Sequence, residues 1–418
     1  MRPIALRLYR LGVILAIVFI IHRHHARLRV DGDAPIQLDE VRPFFAGAAR
    51  LETDASERGG LFVLDRKGER VGYVLRTAPA SDPIKGYAGP TDTLLAMDYP
   101  GMRVLGIKIR SSWDTKLHVG DVADNEYFTK TWTGKTWDEV AGLDPQAAGI
   151  EGVSGSSLTS LAIANGIHQR FKSATDAAAV KPPAPRLRPH DWGLVAVIAL
   201  ALAFTFAPHL RSHTWARRGF QVVLIGYVGF WNGQLLAQEM MAGWAAHGAA
   251  WRMAPALALL LAAALVVPWS SRRALYCSQI CPHGAAQEWV GRVSRRKIRV
   301  PRGVDAGLRW LPPLLIAFVL VVAVWRLPID LANVEPFDAY LLRGAIPIAL
   351  AVVGLVAAAF VPMAYCKYGC PTGLVLSFVR SHGRADTFGR RDVAAGLIVL
   401  LTVGLYASYD AVQQWVMR

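Results

Sequence analysis

The sequence predicts a polytopic α-helical membrane protein of about seven spans with one exported α+β domain. Two observations carry this. The 418 residues are 53% hydrophobic and only 18% charged, where a soluble chain of this size carries about 25% charge. The apolar residues also gather in long runs, Trp192–Phe206, Phe220–Phe230, Met253–Val267, Leu311–Val324 and Ile346–Val361, which cannot all be soluble core.

The charge pattern sets the expected topology. The net charge is +15, and its basic residues lie mainly in short loops between the apolar runs. Met1–Arg10 and Arg211–Arg218 carry three each, Ser270–Gly307 eight and Cys366–Arg391 five. The alternate loops are poor in them, and Pro328–Tyr340 holds only Asp330, Glu335 and Asp338 as charges. Such alternation places the basic loops in the cytoplasm, the N-terminus inside and the C-terminus outside. It also explains the positive charge by topology and anionic lipid contact, so nucleic-acid binding is not expected. The expected organisation is an anchor over 1–30, a periplasmic domain over 31–180, a linker over 181–190 and a six-helix membrane domain over 191–418.

The anchor's apolar run, Leu11–Ile21, is short for a span. No small-residue cleavage site follows it, and Arg7, Arg10 and Arg23 can lengthen it by snorkelling, so an uncleaved anchor is expected. His22, His24 and His25 are expected at the interface. In the exported segment, Leu61–Leu64, Val71–Arg76, Leu94–Met97 and Val104–Ile109 read as strands between Gly and Pro turns. The tract from Lys181 to Pro189 is too rich in proline for a helix and reads as a stiff linker.

All four cysteines fall in two copies of one pattern. Tyr276-Cys277-Ser-Gln-Ile-Cys281-Pro282-His283-Gly284 and Tyr365-Cys366-Lys-Tyr-Gly-Cys370-Pro371-Thr372-Gly373 both read Tyr-Cys-x3-Cys-Pro-x-Gly. The topology puts both at the reducing cytoplasmic face, where paired thiols are metal ligands more readily than disulfides. Four thiolates suffice for one iron–sulfur cluster or one tetrahedral metal. The alternative is that the cysteines merely pack as small apolar residues.

A second string, Glu151-Gly-Val-Ser154-Gly155-Ser156-Ser157-Leu-Thr159-Ser160, reads by composition as a turn into a helix over Leu158–Phe171 with a hydroxyl as N-cap. It resembles the flavinylation motif of covalent FMN-binding domains, an acidic residue followed by x-x-Ser/Thr-Gly-Ala/Ser-Ser/Thr. The resemblance makes Glu151 the acidic position, Ser154, Gly155 and Ser156 the middle of the motif, and Ser157 the residue carrying FMN through a phosphoester. Glu replaces the usual Asp and Ser157 the usual Thr, and Thr159 is the fallback attachment site. Lys85-Gly86-Tyr87-Ala88-Gly89-Pro90 resembles the same family's Gly-Tyr-x-Gly-Pro strand start, whose glycines and main-chain N–H groups can approach a phosphate. Tyr87, Tyr99 and Trp113 are candidates to stack on the flavin.

Anchor, exported FMN-binding domain and two Cys-x3-Cys-Pro loops together resemble the NosR/NirI family of membrane flavoproteins. Asp39-Glu-Val-Arg-Pro-Phe-Phe45 after the anchor belongs to that likeness. The chain reads as a short form without the long members' ferredoxin-type tail. The resemblance implies an electron carrier more than an enzyme with its own small-molecule substrate. It would hold covalent FMN and an iron–sulfur cluster or other thiolate-bound iron, in the bacterial inner membrane. Electrons would pass between the quinone pool, or another membrane or cytoplasmic donor, and a periplasmic metalloenzyme of the nitrous oxide or nitrite reductase type. A flavin transferase would attach the FMN. A redox-sensing regulatory or maturation protein is the alternative. The expected placement leaves about 30 Å of hydrocarbon between the cysteine face and the flavin. A quinone, a partner subunit or a haem would have to bridge it. His209 and His213 are expected at the interface ahead of forming a ligand pair, and Asn232, Gln238 and Glu239 could serve a quinone.

Overall fold

A computed structural model describes residues 3–31, 35–145, 147–150, 152–175, 184–185, 187–294, 296–327, 329–380 and 387–416. Glu151, and Lys181, Pro182, Pro183 and Arg186 of the Pro-rich linker, lie outside the described residues. The chain divides into two compact units, Met1–Arg27 with Leu187–Gly248 and Pro255–Arg418, and Leu28–Arg186 with Ala249–Ala254.

The first unit is helical. Four of its helices are long and apolar enough to cross a membrane: Ile4–Leu28, Pro189–Phe206, Arg302–Trp325 and Arg390–Gln414. Pro255–Ser271 and Ala345–Phe360 are shorter apolar helices. The remaining run, Phe220–Phe230, lies in an α-helix over Thr214–Val223 that continues as a π-helix over Leu224–Asn232. Prolines sit where a helix tolerates them, in the first turn of the helices starting at Pro189 and Leu311, where the missing N–H has no intrahelical acceptor in any case.

The N-terminal helix corrects two expectations. Arg10 does not snorkel; it is fully buried and its guanidinium grips Asp392 of the last helix at 2.7 and 3.2 Å. His24 and His25 are not interfacial but buried. The helix ending at Trp325 turns off through Arg326 in the left-handed region, which leaves its last carbonyls without intrahelical donors. His24 and His25 donate from Nε2 to two of these, Val324 and Ala323, both at 2.8 Å. A short apolar run is thus made into a spanning helix by burying its polar residues against neighbours.

The second unit carries an antiparallel meander, β1 (Arg50–Thr53), β2 (Leu61–Leu64), β3 (Arg70–Arg76), β4 (Thr91–Asp98) and β5 (Val104–Ser112), in that spatial order. β4 is buried on both faces. Leu95 and Met97 pack with Trp132, Trp137 and Phe171 under the helices, while Leu94 and Ala96 pack with Val41 and Phe45 of the segment before β1. Four strands match the sequence reading. The edge strand β1, Arg-Leu-Glu-Thr, shows little apolar alternation and was not predicted. Arg110 pins the Val41 segment to the sheet, bridging Glu40 at 2.6 Å and Asp92 at 2.9 Å.

Candidate functional site

The two cysteine motifs fold alike. In each, the chain makes one short helical turn, Tyr276–Gln279 or Ala364–Tyr368, and then starts a new helix at the Pro, Pro282–Val293 or Pro371–Val379. The second cysteine is the N-cap. Cys281 Sγ accepts from Gly284 N at 3.5 Å, and Cys370 Sγ from Gly373 N at 3.1 Å. This explains the spacing Cys-Pro-x-Gly. Proline fills the first helical position, and the N–H three residues after the cap bonds the cap's side chain. Glycine is needed there because a Cβ on Gly284 would stand 2.9 Å from the carbonyl oxygen of Cys277. Two helix N-termini, each with partial positive charge, therefore point at sulfur.

The two capping sulfurs are buried, while Ser278 and Lys367 between the paired cysteines are exposed and Lys367 pairs with Asp305 at 2.6 Å. Pro282–Val293 has 12 residues and Pro371–Val379 has 9. At the α-helical rise they hold the caps about 18 and 14 Å from their basic ends, where Arg296, Lys297 and Arg380 follow. Beside them, Tyr365 Cβ and His283 Nε2 stand 3.2 Å from the Cβ position of Gly354, well inside the helix Ala345–Phe360. Sequence periodicity cannot reveal such returns, because each half-helix is too short to register as a span.

The loop between Trp325 and Ala345 reaches the same point. Glu335, of the acidic loop poor in basic residues, is buried. It accepts from Thr372 Oγ1 and Gln238 N, both at 2.6 Å. Tyr340 of the same loop meets His283 Nδ1 at 3.1 Å. One loop thus holds the variable residue of both motifs. Gln238 belongs to this polar core, donating also to Thr372 Oγ1 at 2.9 Å. Gln287 joins the motifs directly, donating to Cys366 Sγ at 3.1 Å and accepting from Tyr365 N at 3.0 Å. Glu335, Tyr340 and Gln287 escaped the sequence reading because nothing local marks them.

Gln287 of the first motif's helix stands 3.1 Å from Cys366 Sγ and so brings the two motifs together. Among the described residues no three His, Cys, Asp or Glu side chains stand close enough to close on a single metal ion. His283 Nε2 and Tyr365 Oη, next to the cysteines, are buried without hydrogen-bond partners. Thiols from two loops, N–H donors aimed at sulfur and polar atoms left over for a further group suit a polynuclear thiolate cluster.

The hydroxyl-rich string of the second unit is a helix start of another kind. Gly155 takes φ +75°, a conformation other residues resist, and the helix Ser157–Thr175 begins two residues on. Ser156 is buried and donates to Asp121 at 2.8 Å. Ser160 is buried and accepts from Val153 N at 2.9 Å. Ser157, in the first turn, is exposed and its hydroxyl donates to Val153 O at 3.2 Å. Ser154 and Gly155 are exposed as well. Thr159, the fallback site, is 1% exposed and donates to Asp114 at 2.6 Å, which takes its hydroxyl out of reach.

Asp114 organises this corner and was missed. Its carboxylate accepts from the backbone N–H groups of Tyr87, Ala88 and Gly89 at 3.2, 2.7 and 2.9 Å. A Cβ on Gly86 would stand 2.0 Å from Asp114 Oδ2, which explains that glycine. Burial pushes the Asp114 carboxyl above the ordinary carboxylate range, against the pull of Thr159 and the three N–H groups. The Gly86–Pro90 loop therefore offers those N–H groups to a protein carboxylate, where a phosphate was expected. Trp113 bonds Pro90 O through its backbone N at 3.2 Å. Tyr99 lies at the opposite end of β4 from Pro90 and packs on Phe62, so it is no flavin wall.

A 4Fe-4S binding domain family matches residues 253–301 and 344–390, each stretch holding one cysteine pair. Regulatory protein NosR of Pseudomonas aeruginosa is 29% identical over 221 residues, 47% of this chain and 30% of NosR. Protein NirI of Paracoccus denitrificans is 28% identical over 199 residues, 43% of this chain and 29% of NirI. YccM of Escherichia coli, a candidate electron transport protein by its description, is 27% identical over 140 residues, 30% of this chain and 39% of YccM. The chain spans less than half the length of each of these relatives. No solved structure matches it.

Proposed function

The chain is NosR/NirI-like, and we propose that it is a membrane electron carrier built around a cluster bound by Cys277, Cys281, Cys366 and Cys370. A membrane electron-transfer or regulatory role follows from the 4Fe-4S binding domain and the relatives. The carrying observation is the pair of Cys-Pro-x-Gly caps, each bonding sulfur to the N–H three residues on, with Gln287 of the first helix bonded to Cys366 of the second motif.

In this reading the chain makes about seven spans in the inner membrane, with basic loops in the cytoplasm and the soluble unit in the periplasm. Ser157 carries FMN through a phosphoester, supported by its exposure at a helix start and by the burial of Ser156 and Thr159. Glu151, Ser154, Gly155 and Ser156 form the motif a flavin transferase reads, and Gly86, Tyr87, Gly89 and Pro90 border it. A thiolate-bound cluster supplies single-electron transfer, while FMN exchanges two electrons with one-electron partners. The protein's part is to bury the sulfurs, exclude water and stabilise added negative charge through the helix N-termini. Cysteines a half-helix above the basic ends stand near mid-bilayer, which shortens the crossing that surface loops would leave. A quinone or membrane redox partner and a periplasmic metalloenzyme or its carrier are the proposed exchange partners.

Protein purified from membranes, made together with a flavin transferase, tests this by iron content, visible spectrum and intact mass. Bound iron with thiolate-to-iron absorption and one FMN adduct are expected. Iron-free, colourless protein of unmodified mass would overturn the reading. The regulatory alternative, favoured by the name of NosR, predicts both groups but no sustained turnover with quinol and an acceptor.

A further inference from the structure

The two cysteine motifs are near copies, but their surroundings are not. The N-cap bonds from Gly284 and Gly373 recur in both. Gln287 does not. Counted from the N-cap cysteine, it lies at the position Leu376 takes in the second motif, and both side chains are buried. Where the second half-helix has an apolar side chain, the first has a primary amide.

Both ends of that amide are used by the opposite loop. Tyr365 N can only donate, so the atom 3.0 Å from it is the carbonyl oxygen of Gln287. The NH2 group then faces Cys366 Sγ at 3.1 Å, and this sulfur is the acceptor. An acceptor sulfur suits a thiolate better than a thiol. Gln287 Nε2 also lies 3.5 Å from His283 O of its own helix, which fixes the rotamer. The amide is fully buried.

We infer that Gln287 is a positioning residue for the cluster, giving the Cys366 sulfur a hydrogen bond that no side chain at the equivalent position can give in the other motif. The inference rests on the four cysteines binding a cluster. Hydrogen bonds to ligand sulfur favour the more negative, reduced form and raise the reduction potential. Gln287 therefore makes the cluster easier to reduce and makes its two halves unequal, with added charge favoured on the Cys366 side. It also ties the loops together through Tyr365 N.

The test is an EPR-monitored redox titration of full-length wild-type and Gln287→Met protein, with iron measured in parallel. Methionine keeps the volume and removes the donor. The variant is expected to keep its iron, to titrate at lower potential and to show a changed reduced-state spectrum. Unchanged potential and spectrum at full iron would overturn the proposal. If Gln287→Met loses iron, Gln287→Glu decides. It keeps the acceptor for Tyr365 N and replaces the donor, so retained iron with a lowered potential supports the proposal. Iron loss in both variants would overturn it in favour of a purely architectural role. A wild-type protein without iron would instead sink the cluster itself, a distinct result.

Discussion

In the membrane unit, Cys281 and Cys370 cap half-helices and their side chains are buried, each holding one N–H of its own helix. In the soluble unit, Ser156 sits buried at the start of its helix, and the next residue, Ser157, is left exposed in the first turn. Both starts are written locally, by Pro and Gly after cysteine in one and by Gly and hydroxyls in the other. Their surroundings divide them. The capping sulfurs are closed off from solvent, whereas the first turn of the other helix leaves a hydroxyl exposed. The helix start is common; the access differs.

The largest expected effects break one member of the comparison outright. Replacing any one of the four cysteines with serine should remove most of the iron, measured per chain after purification. Iron unaffected by Cys277→Ser or Cys281→Ser would show that the two motifs do not share a site. On the soluble side, Ser157→Ala should abolish the covalent flavin and Ser157→Thr should retain it, read by peptide mass mapping.

A change of about 3–5 kcal/mol is expected from Arg10→Leu or Asp392→Leu, because each strands a fully buried charge. The double variant should recover much of that loss in detergent melting experiments. If the double variant is no better than either single one, the pair does not tie the first and last helices. Thr159→Ala sharpens the soluble half. It should cost about 1–3 kcal/mol by taking the buried Asp114 carboxylate's hydroxyl donor, yet leave the flavin on Ser157. An adduct lost with Thr159 would move the attachment site.

The smallest effect is a pH dependence. Glu40 is held below the ordinary carboxylate range chiefly by its hydrogen bond from Arg110. A lowered folded-state value means that the pair's stabilisation is present above the unfolded carboxylate value and is lost as pH falls through the folded one. Hydrogen-exchange protection near Val41, taken relative to the intrinsic rate at each pH, should therefore fall on acidification, and Arg110→Ala should flatten that dependence. An identical profile in the variant would exclude the pair as its cause.

Much of this was legible in the chain. Long apolar runs and periodic strands state what must be buried, so the long apolar helices and β2 to β5 were readable within a few residues, and the half-helices were not. The cysteine motif and the Ser-Gly-Ser-Ser string were readable because capping chemistry needs particular residues at fixed offsets. Asp114, Gln287 and Glu335 were not. Each lies at least 26 residues from an atom it bonds, Asp114 from Ala88, Gln287 from Tyr365 and Glu335 from Gln238.

The sequence by itself determined the helical membrane unit, the antiparallel domain and the two helix starts, because these follow from hydrophobic period and local backbone chemistry. Only the tertiary structure decided that Cys281 and Cys370 are buried N-caps, that Arg10 is buried on Asp392, and that Thr159 is buried on Asp114 while Ser157 is exposed. Depth, pairing and exposure depend on which distant segment arrives beside a residue. A buried polar group must find its partner wherever the fold supplies one.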